Sequence, residues 1–100
     1  MATLTMWQLV GETREWVGPL MVTVNATPVG NFEVSVCEGA TRPTVWLAAD
    51  DDPDGGGVKG VLVGTGTSWP LTVGRKYTIF VKFTDTPEVP VVRGGIIKVT

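Results

Sequence analysis

The sequence predicts an all-β domain, an antiparallel sandwich or small barrel of seven to eight strands, on three observations. Seventeen Val, fourteen Thr and three Ile make about a third of the 100 residues β-branched, and such side chains fit a pleated strand better than a helix. Thirteen Gly and seven Pro cut the chain into short apolar runs with turn signals every 8–12 residues. Within those runs apolar and polar residues alternate, and no segment of useful length carries a helical period.

The elements follow in order. Thr3 to Val10 reads as a first strand ended by Gly11, and Thr13 to Val17 continues it after a kink, as far as Gly18 and Pro19. Leu20 to Asn25 alternates, with Leu20, Val22 and Val24 on one side. Phe32, Val34 and Val36 form an inward row, with Glu33 and Ser35 outward. Thr44 to Ala49 is a strand, broken by the run Asp50 to Gly57. Val58 to Val63 returns, and Gly64 to Thr67 turns again. Lys76 to Phe83 has the strongest pattern, with Tyr77, Ile79, Val81 and Phe83 on one face. Thr84 to Glu88 is a loop, and Gly95 to Thr100 is the last strand.

Size and composition bound the rest. One hundred residues suit one domain, residues 1–100, with one modest core. Hydrophobic residues at 43% and charged residues at 18% favour burial over disorder. A net charge of −2 lacks the clustered Lys and Arg of a nucleic-acid footprint. No stretch is long and apolar enough for a membrane span. The start of the chain has neither the basic residues nor the apolar run of a secretory signal, so synthesis and folding in a reducing cytoplasm are expected.

Catalysis is the weakest functional class. The chain has no His, two Ser and one Cys. It therefore lacks Ser-His-Asp and Cys-His chemistry, His-based metal sites, an internal disulfide and a zinc cluster. Cys37 reads as a small residue in a strand. No enzyme activity and no cofactor are expected.

Two features invite a functional reading. Asp50, Asp52 and Asp54, followed by Gly55, match the first half of a calcium-binding loop. The position that should close such a loop with a bidentate Glu is Val61, and no helix follows. Pro53 and three glycines fit an exposed hairpin tip, so a solvated turn stands ahead of a weak calcium site. The second feature is four Trp: Trp7, Trp16, Trp46 and Trp69. They cover the ends of a sandwich, form a protein interface, where Trp concentrates at hot spots, or make a sugar-stacking platform. Candidate interface residues are Met6 and Trp7 on a first strand apolar on both faces, Trp46 opposite Val45 and Leu47, Trp69 beside Pro70, and Phe80, which interrupts the polar row of Thr78 and Lys82. For the first strand, pairing with a neighbouring chain is favoured over a place inside the domain.

Leu71, Val73, Gly74, Tyr77, Ile79 and Val81 together resemble the corner between two strands in fibronectin type III and related immunoglobulin-like domains. There Leu fills the core, Gly permits the corner, and Tyr buries its ring while its hydroxyl bonds nearby backbone. Val73 stands where that pattern has Pro, and the strand from Leu20 to Asn25 lacks the family's Trp. The resemblance spans 11 residues and implies an immunoglobulin-like, fibronectin type III-like Greek-key β-sandwich.

The Val/Thr/Gly-rich chain, with Pro87, Glu88, Pro90 and Val91 leading to Gly94 through Thr100, is also similar to small virion proteins of tailed bacteriophages. That likeness implies a structural protein of the virion, assembled in the host cytoplasm. Its expected role is a capsid decoration or accessory protein, its partner the major capsid protein or other virion proteins, and its state homo-oligomeric or multi-copy. A head–tail or tail component, and a carbohydrate- or cell-surface-binding module, are the alternatives.

Overall fold

The computed structural model describes residues 6–9, 14–20, 23–24, 27–28, 32–39, 43–51, 59–83, 89 and 91–100. Among them the regular structure is all β. In chain order the strands are β1 (Met6–Leu9), β2 (Glu15–Leu20), β3 (Thr23–Val24), β4 (Thr27–Pro28), β5 (Glu33–Glu38), β6 (Leu47–Ala48), β7 (Asp50–Asp51), β8 (Lys59–Val63), β9 (Lys76–Lys82) and β10 (Val91–Val99). One sheet has five strands in the order β1-β10-β9-β5-β6. A second has three, β2-β8-β7, and β3 pairs with β4 alone. All pairings are antiparallel except that of β1 with β10, which is parallel.

Alternation drives one side of each main sheet into a single core. Leu9, Val34, Tyr77, Ile79, Val81, Ile97 and Val99 enter it from the larger sheet, and Val17, Leu20, Val61 and Val63 from the smaller. Tyr77, Ile79 and Val81 share a face of β9 as their spacing predicts, and Phe83 packs partly buried at its end.

The corner before β9 forms as its residues suggest. Leu71 and Tyr77 are buried, and the backbone N–H of Thr72 donates to the Tyr77 hydroxyl at 2.8 Å. Gly74 has φ +86°, a region costly for other residues. Its N–H donates to the carbonyl of Val99 at 2.8 Å.

Several boundaries depart from the sequence expectation. β2 runs through Gly18 and Pro19 instead of ending there. The proline is tolerated because β2 is an edge strand and its register with β8 shifts between Val17 and Leu20, where the ladder is already interrupted. The strand expected over Thr44 to Ala49 is reduced to Leu47 and Ala48. Asp50 and Asp51, expected to break structure, are strand β7 of the other sheet. The chain changes sheets at Ala49, whose N–H donates to the carbonyl of Phe32 at 3.1 Å. The last strand starts at Val91, four residues earlier than Gly95. Ser35, expected outward and polar, is 1% exposed. It lies on the middle strands of the five-stranded sheet, beside the larger Phe80, so facing away from the core does not make it wet.

The first strand also has a place inside the domain. Its inner residues, Trp7 and Leu9, pack on the core, and the N–H of Thr100 donates to the carbonyl of Leu9 at 2.8 Å.

Candidate interaction face

The side of the five-stranded sheet that faces away from the core is built by register. Paired residues of neighbouring strands point to the same side. Four rows therefore cross this face. The first contains Val91, Lys82, Glu33 and Ala48; the second Arg93, Phe80 and Ser35. The third contains Met6, Ile96, Thr78 and Cys37; the fourth Gln8, Lys98 and Lys76.

Apolar residues are interspersed among polar ones across it. Phe80, Ile96 and Cys37 are half-buried, and Met6 and Val91 are exposed at 52% and 49%. Its polar groups are engaged locally. Lys82 sits 4.7 Å over the ring of Trp46 and lies 3.6 Å from the Glu33 carboxylate, so one cation is shared between an aromatic face and an acid. Thr78 donates to the carbonyl of Gly39 at 2.6 Å. The Ser35 hydroxyl and Cys37 thiol lie 3.5 Å apart. At one end Arg75 binds both oxygens of Glu38, at 2.7 and 2.8 Å. Hydrogen bonding to Glu38, reinforced by its charge, pushes the Arg75 pKa above its ordinary value.

The five candidate interface residues separate. Met6 and Phe80 lie on this face, and Trp46 reaches Lys82 at its border. Trp7 and Trp69 instead pack partly buried against the core. Val45 and Leu47 are exposed while Trp46, expected on the opposite face from both, is half-buried. Sequence reading missed Ile96 and Val91. The signal was present in the doublets Ile96–Ile97 and Val91–Val92, because an alternating strand cannot turn two consecutive apolar residues inward.

The acidic run does different work. A carboxylate oxygen of Asp50 accepts the N–H of Leu62 at 2.7 Å, and Asp51 pairs with Lys59 at 2.5 Å. Both interactions tie β7 to β8. Asp52 and Asp54 lie outside the described residues, and Val61 is buried in the core. Among the described residues no three metal-ligating side chains converge.

Two clefts flank the sheets. One, of about 340 Å³, is lined by residues that include Phe32, Phe83, Lys59 and Lys82, with both lysines already in ion pairs. The other, of about 370 Å³, includes Arg14, Asp50, Thr67, Ser68 and Trp69.

Comparison with known protein families, curated proteins and solved structures finds no match to this chain.

Proposed function

We propose that this chain is a non-enzymatic structural protein of a phage virion, a capsid decoration or accessory protein that binds the shell through the outer face of its five-stranded sheet. One observation carries the reading: Met6, Ile96, Phe80 and Val91, neighbours in register or on the diagonal, lie around Arg93 on a sheet face that the second sheet leaves uncovered. Apolar residues set among polar groups on an uncovered face suit a docking surface. The sequence likeness to small virion proteins supplies the kind of partner.

We infer that the fold is an immunoglobulin-like Greek key. The hydroxyl bond of Tyr77 supports this, as does the wiring. Neighbouring strands pair as β5–β6, β7–β8 and β9–β10, and the chain passes from one main sheet to the other between those pairs.

The test is co-sedimentation with shells assembled from the major capsid protein of the same genome. The native chain should pellet with the shells. The exposed pair Val91→Glu and Arg93→Glu should weaken binding by about tenfold or more without changing the circular dichroism spectrum. A native chain that never pellets with shells overturns the reading. The cleft containing Trp69 favours a second reading, a carbohydrate-binding module. A saturable change in Trp fluorescence with glycans, together with absent shell binding, moves the assignment there.

A further inference from the structure

Strands at sheet edges leave backbone donors and acceptors unpaired, and proteins blunt them with charge, proline, bulges or short length. The two main sheets have four edge strands among the described residues, β1, β6, β2 and β7. β6 and β7 are two residues long, and both residues of β7 are aspartates. β2 carries Glu15, Pro19 and a shift of register. β1, with the sequence Met6, Trp7, Gln8, Leu9, has no charge, no proline and no irregularity in its ladder with β10.

The direction of its free groups follows from one hydrogen bond. In a strand the N–H and C=O of one residue point to the same side, and successive residues alternate. The carbonyl of Leu9 accepts from Thr100 at the end of β10. Leu9 and Trp7 therefore bond toward β10, while Met6 and Gln8 present their N–H and C=O groups away from it.

We propose that β1 pairs antiparallel with β1 of a second copy of this chain, across a two-fold axis at Trp7, so that the two five-stranded sheets become one sheet. Each outward group then has a partner. Met6 and Gln8 of one copy exchange N–H···O bonds with Gln8 and Met6 of the other, four bonds about the axis. The two Trp7 residues face each other at a non-hydrogen-bonded position, where cross-strand aromatic pairs are favourable. On the outer face, Lys98 and Gln8 of one copy continue the row into Met6 and Ile96 of the other. This sets Gln8 of the other copy beside Met6 and leaves the outer face of the joined sheet open. The two β10 strands stay three strand spacings apart, about 14 Å, which keeps their Lys98 charges beyond the screening length of about 8 Å. The edge is self-complementary and carries no charge that would select a different partner. The pairing stands whether or not the chain binds a shell.

The experiment is sedimentation of the full chain alone, with two variants. Gln8→Pro removes an outward N–H but leaves the groups that bond β10. The double variant Met6→Cys and Gln8→Cys places thiols on residues that face each other across the axis, at a Cα separation of about 5.5 Å suited to a disulfide. The native chain should sediment at twice its 10.6 kDa mass. Gln8→Pro should raise the dimer Kd about tenfold or more with an unchanged circular dichroism spectrum. The double-cysteine chain should give a covalent dimer on a non-reducing gel. Should Gln8→Pro fail to fold, the cross-link decides. A native chain that stays monomeric to about 100 µM overturns the pairing and leaves the edge to an extended segment of another protein. A dimer that persists in folded Gln8→Pro, or that the paired cysteines do not lock, also overturns it.

Discussion

Tyr77 holds the corner before β9 through a buried ring and one hydroxyl, which accepts the Thr72 N–H at 2.8 Å. Tyr77→Phe keeps the ring and leaves that N–H without its partner. Urea unfolding should report a loss of about 1–2 kcal/mol with an unchanged m-value, and an unchanged midpoint would mean that the hydroxyl does not hold the corner. A second residue-scale constraint lies on the far side of the small sheet. A Cβ added to Gly60 would sit 2.5 Å from the carbonyl oxygen of Val17 and 2.6 Å from ring atoms of Trp16. The indole needs a platform without side chains. The backbone oxygen cannot swing aside as a flexible chain end would. Gly60→Ala should therefore cost about 3 kcal/mol, the upper end for overpacking, read as a lower thermal midpoint. A neutral outcome would show that β2 and β8 separate easily.

At the scale of the element, β1 is the informative case. Its inner residues belong to the core, so removing Met1 to Gln8 should not leave an intact domain. The truncation deletes Trp7 and leaves β10 without its parallel neighbour. It should lower stability by about 3 kcal/mol or more, seen as a lower urea midpoint or as lost cooperativity. A truncated chain as stable as the native one would place β1 outside the folding unit. The first strand also marks the limit of sequence reading. Its existence was legible from Met6, Trp7 and Leu9, but its partner was not, because β10 is remote in sequence and nothing local encodes a parallel pairing. β9 and β5 were legible because alternation is a local property. The shortening of the strand to Leu47 and Ala48 and the passage to the other sheet at Asp50 were not, because the switch at Ala49 depends on a bond to distant Phe32. The candidate face was half-legible: Phe80 stood out as an apolar residue in a polar row and Met6 on a strand apolar on both faces, while Trp7 and Trp69, singled out beside them, turn toward the core.

For the whole molecule, the parallel pairing of β1 with β10 sets an order of events. Thr100 reaches back 91 positions to bond Leu9, whereas β7 with β8 and β9 with β10 join segments much closer in the chain. Closing a long loop costs entropy that only the finished contact repays. During synthesis, which proceeds at roughly 5–20 residues per second, Trp7 and Leu9 emerge seconds before Ile97 and Val99 exist to receive them. For that interval both edges of the first strand are open, and anything that shields a nascent apolar segment has its work there.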